Sequence, residues 1–196
     1  MRKRLPPRKE AVALKNMQNS FLTLGKFLVD KVTPILKTNS DLIFLCIGSD
    51  RCTGDSLGPL VGDKIQFLSS NNIYVYGNLE STVNATNLDD VLTTIRSNHV
   101  NPYIIAIDAS LGNSADIGKI IINDEPLCPG KALNKNLPSI GNISIVGIVN
   151  ISSCFQFTTL QNTRLYTVMK IAITIAKGIS YFSLKQNYDD NCLSNM

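Results

Sequence analysis

Two aspartates stand where acid–base chemistry can be assembled. One is Asp55, in the run Gly48-Ser49-Asp50-Arg51-Cys52-Thr53-Gly54-Asp55-Ser56-Leu57-Gly58-Pro59; the other is Asp108, in Ile104-Ile105-Ala106-Ile107-Asp108-Ala109. Each lies beyond an apolar, strand-forming stretch, Leu42 to Ile47 for the first and Tyr103 to Ile107 for the second. Open α/β sheets gather their sites at the carboxyl ends of such strands. Two carboxylates about 4 Å apart repel by about 4 kcal/mol at a surface-like dielectric, and one shared proton relieves that repulsion. A pair holding one proton can activate water, so Asp55 and Asp108 are the candidate catalytic residues.

Several neighbours can support them. Asp50, Arg51, Thr53 and Gly54 share the glycine-rich loop, and Glu80 and Asn84 lie in the polar run after Ile73-Tyr74-Val75-Tyr76. Asp55, just before a helix, can also serve as an N-cap worth about 1 kcal/mol. The loop lacks GxxxxGK[ST], and its glycines do not follow GxGxxG, which argues against a nucleotide. A metal held by Asp50, Asp55, Glu80 and Asp108 would have oxygen ligands alone, suiting Mg²⁺, Ca²⁺ or Mn²⁺. No spacing demands that metal, and no cofactor is expected. Cys52 is a second conceivable nucleophile, but the single histidine, His99, sits in a separate polar turn.

These residues need strands alternating with helices, and the pattern supplies them. Apolar residues from Ala11 to Leu36 recur at helical spacing, with Pro34 near the end. A strand over Leu42–Ile47 leads through the loop to a helix over about Leu57–Leu68, with Pro59 in its first turn. Ile73–Tyr76 reads as a strand, and Asn87 as the cap of a helix ending near Asn98. Strands are expected over Tyr103–Ile107, Gly118–Ile122 and Ile143–Val149, with an irregular loop over residues 126–141 and a long helix over Thr158–Ser180. The expected fold is a single α/β domain over residues 11–182, a mostly parallel sheet flanked by helices. Residues 1–10 are expected to be a basic flexible tail and residues 183–196 a flexible end.

The chain has 196 residues, enough for one full core. Its net charge of +4 comes from residues 1–15, which carry six basic residues against Glu10; the rest is nearly neutral. No groove-reading motif or aromatic platform accompanies the tail, so nucleic-acid recognition is not predicted. No apolar leader follows the basic start, and the apolar stretch Leu165–Phe182 is broken by Lys170 and Lys177, which reads as a buried helix without a membrane role. Five scattered cysteines and no Cys-x-x-Cys pair fit reduced thiols in the cytoplasm. The sequence is compatible with a homo-oligomer and does not specify one.

These motifs resemble those of the YyaC-type sporulation proteins, relatives of the germination protease of spore-forming Firmicutes. The likeness runs from about Asp41 to Lys177 and includes Cys46 to Arg51, Thr53 to Gly62, Ile104 to Ala109, Pro129-Gly130, Leu137-Pro138, Gly147 to Asn150, and Leu160 to Leu165. In the germination protease, an aspartate before Leu-Gly-Pro and another in Ile-Asp-Ala form the proposed pair of an atypical aspartic peptidase, matching Asp55 and Asp108. The resemblance implies a phosphorylase/hydrolase-like fold, shared with hydrogenase maturation proteases, and small acid-soluble spore proteins as substrates. It assigns no acid–base role to Asn84, where the related loop carries histidine, and no nickel site. Three readings follow: a sporulation-associated peptidase, a non-enzymatic sporulation factor that binds a partner protein, and a metal-dependent hydrolase.

Overall fold

The computed structural model describes residues 12–14, 17–69, 72–127 and 139–194. Six strands form one sheet: β1 (Val12–Leu14), β2 (Leu42–Cys46), β3 (Ile73–Tyr76), β4 (Tyr103–Gly112), β5 (Ile120–Asn123) and β6 (Ile143–Ile151). Their spatial order is β1-β5-β6-β4-β2-β3. The β3, β2, β4 and β6 strands run parallel; at one side β5 pairs antiparallel with β6, and β1 pairs antiparallel with β5. The helices are α1 (Met17–Leu36), α2 (Leu57–Ile65), α3 (Leu88–Asn98), α4 (Gln156–Gln161) and α5 (Leu165–Ser194), and a 3-10 turn over Thr53–Ser56 precedes α2. The expected mostly parallel α/β sheet is therefore present.

Strand β2 is buried on both faces, as a continuous apolar run in a parallel sheet should be. Leu42, Phe44 and Cys46 join a core with α1, α2 and α5; Ile43, Leu45 and Ile47 join a second core beneath α3. The central β4 alternates in the same way, with Ile105 and Ile107 in the first core and Ile104 and Ala106 in the second. That alternation puts Asp108 in the row that faces the α3 side. Pairing of Leu42 with Tyr103 through Cys46 with Ile107 makes β2 and β4 direct neighbours.

Several boundaries differ from the sequence expectation. The apolar residues from Ala11 onward do not form one helix: Val12–Leu14 pair with Ile120–Ile122 as β1, and α1 starts at Met17. Strand β4 continues past Ile107 to Gly112, because β6 pairs with it throughout. Strand β5 starts at Ile120, not at Gly118. The long helix is two helices, broken at residues 162–164, where the side-chain amide of Asn150 donates to the Thr163 hydroxyl at 3.2 Å. Helix α5 then continues to Ser194, and Gln186, beyond the expected boundary at 182, is buried and bonded to Thr33. The tail over residues 1–10 and most of the loop over 126–141 lie outside the described residues; Leu127 and Ile140 close that loop through an antiparallel bridge.

Among the described residues, Leu165–Gln186 is the one helical stretch long and apolar enough to cross a membrane. It is a core helix by its stripe: Val168, Ile171, Ala172, Ile175, Ile179 and Phe182 are all buried in the main core.

Helix α2 approaches β2 more closely than any side chain allows. A Cβ on Gly58 would stand 2.1 Å from the Ile47 carbonyl oxygen, which is backbone and cannot give way. Gly58→Ala is therefore expected to destabilise the fold by about 2–3 kcal/mol, the range of an overpacked core, with a matching fall in the urea midpoint. An unchanged midpoint would contradict this packing.

Candidate active site

The last ladder bond of β2 runs from the Ile47 amide to the Ile107 carbonyl at 2.8 Å, and beyond it the chain turns. Gly48 makes the turn at φ 146°, in a region that side chains disfavour. A Cβ there would lie 1.9 Å from the Asp55 carbonyl oxygen, so this glycine lets the Asp55 backbone rest on the strand end. The Ser49 amide donates to that same oxygen at 3.1 Å, and the Asp55 amide donates to the Cys52 carbonyl at 3.0 Å. Asp55 is thereby fixed over the end of β2.

Asp55 and Asp108 both keep part of their surface in contact with solvent. Burial raises the pKa of Asp55, with the Ser49 backbone amide opposing the rise. The Asp108 pKa is pushed up to about 7, chiefly by burial and then by the charge of Asp55; the Ala109 amide, bonded to its Oδ1 at 2.8 Å, opposes this. The charge of Asp55 is thus felt at Asp108. The capping role for Asp55 is not seen. The cap positions of the 3-10 turn and of α2 are Cys52 and Ser56, and neither makes a side-chain cap bond.

A cleft of about 550 Å³ opens beside the turn. Asp50, Arg51, Asp55, Glu80 and Asn84 line it, so five of the eight residues singled out from sequence meet there. Asp108, Thr53 and Gly54 are not on its wall; Gly54 is buried, and a Cβ on it would meet Leu160 of α4 at 2.8 Å. Arg51 is exposed and forms no ion pair among the described residues.

Three hydroxyl residues on the wall, Ser49, Thr82 and Thr86, escaped the sequence reading. Asn84 Oδ1 accepts from the Thr86 amide at 3.0 Å and from its hydroxyl at 2.7 Å, while Asn84 Nδ2 donates to Thr82 Oγ1 at 3.3 Å. Asn87 sits at the start of α3 without capping it. Its side chain instead accepts from the Asn84 amide at 2.9 Å and donates to the Thr82 carbonyl at 2.9 Å. The density of Asn and Thr in Thr82-Val83-Asn84-Ala85-Thr86-Asn87 was the available signal for such a self-bonded loop.

Two other chemistries lack their constellation. Among the described residues no three His, Cys, Asp or Glu side chains gather as a metal site, so Asp50, Asp55, Glu80 and Asp108 do not form the oxygen cage considered above. Cys52 is buried, and His99 is bonded elsewhere, to Asp41 at 3.2 Å and to the Tyr76 hydroxyl at 2.8 Å. Burial also raises the pKa of the Cys46 thiol.

The fold is that of an α/β protein with a mostly parallel, helix-flanked sheet, and its acidic cleft lies beside the turn that follows β2. The chain belongs to the family described as a protein of unknown function (DUF1256), whose model matches residues 12–178. It is 45% identical over 139 residues to the uncharacterized protein YyaC of Bacillus subtilis (strain 168), across 71% of this chain and 68% of that one. Among solved structures it is similar to the [NiFe] hydrogenase maturation protease HycI of Thermococcus kodakarensis KOD1, with a TM-score of 0.50 and 15% identity over 79% of this chain and 99% of that one. That likeness is one of fold.

The raised Asp108 pKa carries a stability consequence. A carboxyl near 3.8 when unfolded and near 7 when folded binds more protons in the folded state between those values. Stability therefore falls as pH rises through that interval. Asp108→Asn removes the penalty and is expected to be more stable than the parent at pH 8 by up to about 4 kcal/mol, with the difference vanishing near pH 4. Urea unfolding at both pH values measures it, and an Asn variant less stable at pH 8 would contradict the assignment.

Proposed function

We propose that this protein is a peptidase-like hydrolase in which Asp55 and Asp108 share one proton and activate water against a peptide carbonyl. The reading rests above all on two carboxyl groups carried by the turn after β2 and by its paired strand β4, where burial and then the charge of Asp55 push the Asp108 pKa up to about 7. In the one-proton state, the ionised acid takes a proton from water while the protonated acid donates toward the carbonyl oxygen or the leaving amine. Asp55 faces the cleft, and Asp108, the more strongly raised of the two, holds the proton. Arg51, which lines the same cleft, is the candidate to steady charge developing on the carbonyl oxygen. Asp50, Glu80 and Asn84 border the bound segment.

The similarity of fold to a maturation protease supports a protein or peptide as substrate. The resemblance to the germination protease extends the proposal to small acid-soluble spore proteins, in the cytoplasm of a sporulating cell or spore. A second reading, a non-enzymatic factor that holds a partner's segment in the cleft, is favoured by a specific observation: Asp108 lies off the cleft wall.

Purified protein incubated with small acid-soluble spore proteins is expected to cut them, and Asp55→Asn and Asp108→Asn are each expected to lower the rate by about 10³-fold. Cleavage at the parent rate in both variants would rule out the pair. No cleavage by the parent, together with stable capture of a protein partner, would decide for the binding factor. The rate should fall above pH 7, as Asp108 loses its proton, and fall again in acid, as Asp55 gains one.

A further inference from the structure

A second cavity, of about 270 Å³, lies beside β5, three strands and about 14 Å across the sheet from β2, and shares no lining residue with the acidic cleft. Its polar wall is the start of α5: Arg164, Tyr166, Thr167 and Lys170. Its apolar wall is Ile117, Ile120 and Ile171. Gly118 also lines it, and an added Cβ there would meet nothing within 4 Å, so the space beside it is open.

The charges on this wall are one-sided. Neither Arg164 nor Lys170 forms an ion pair among the described residues. The Lys170 ammonium stands 5.2 Å above the Tyr166 ring, a contact that holds it in place. The carboxylate nearest in sequence to the Gly118 opening, Asp116, is engaged by Lys119. The first turn of α5 carries no acidic residue, so the helix adds its own partial positive charge to the same end. Two like charges lining one partly enclosed space repel each other, and an anion between them offsets that cost. The run Leu160 to Leu165, singled out in the sequence, delivers Arg164 to this place.

We propose that this cavity is a binding site for a small aliphatic carboxylate, with the anionic head between Arg164 and Lys170 and the apolar body against Ile117, Ile120 and Ile171. The volume sits just under the roughly 300 Å³ at which ligand cavities commonly begin, which limits the occupant to a short chain. The Thr167 side chain lines the same wall and adds a hydroxyl donor. The site is independent of the hydrolase reading.

The test is a titration of the full chain with butyrate at constant ionic strength, followed through backbone amide NMR signals, with butyramide as the uncharged control. Butyrate is expected to give saturable shifts at Gly118, Thr167 and Lys170, leaving Asn84 and Thr86 of the cleft unmoved. Arg164→Gln and Lys170→Gln should each weaken binding by about tenfold, the scale of one charge-assisted hydrogen bond, with signal dispersion showing that each variant is folded. Non-saturating shifts up to about 100 mM, equal affinity in both variants, or an equal response to butyramide would overturn the proposal.

Discussion

Everything at the acidic end of the sheet depends on how closely the turn after β2 rests on the strand it leaves. The Asp55 carbonyl oxygen occupies the place where Gly48 would carry a side chain, and the Ile47 carbonyl does the same at Gly58. A further contact of this kind, between Gly62 and the carbonyl of Gly77, ties α2 to the segment that follows β3. Two chain segments are thus held at backbone distance from α2, one bearing Asp55 and the other leading into Glu80 and Asn84. The sheet register does the remaining positioning, since β4 pairs with Cys46 at Ile107 and delivers Asp108 one residue later.

That geometry sets the electrostatics. Asp108 continues a strand whose preceding residues, Ile104 to Ile107, are buried, so its carboxylate gives up much of its hydration. Asp55 adds a like charge at the same edge, and the single amide bond from Ala109 does not compensate. A protein gains no stability from such a pair above neutral pH. Arrangements that oppose stability in this way concentrate where a fold does chemistry. The polar loop opposite, closed on itself through Asn84, Thr86 and Asn87, completes a wall without drawing on either acid.

The sequence was most legible where one residue type permits one structure. The apolar runs before Asp55 and Asp108 could only be buried strands, and Pro59, with Gly58 before it, marked the helix start. Legibility failed where pairing partners decide. Val12 and Leu14 satisfy a helical and an alternating pattern equally over so short a stretch, and β5 chooses between them. Ala109 to Gly112 carry no strand signal of their own and are strand because β6 runs beside them. The break between α4 and α5 follows from a tether between Asn150 and Thr163, distant in sequence until the fold forms. For the site, carboxylates and the arginine were readable as types, whereas the hydroxyls of Thr82 and Thr86 acquire a role only through the loop that presents them.

The central claim is a proton held by two acids that influence each other. Carboxyl carbon NMR titration of the protein, in parent and Asp55→Asn forms, measures it most directly. The account predicts an Asp108 midpoint near 7 in the parent and a lower midpoint once the Asp55 charge is gone. Independent titration of both residues near 4, unchanged by the substitution, would contradict it.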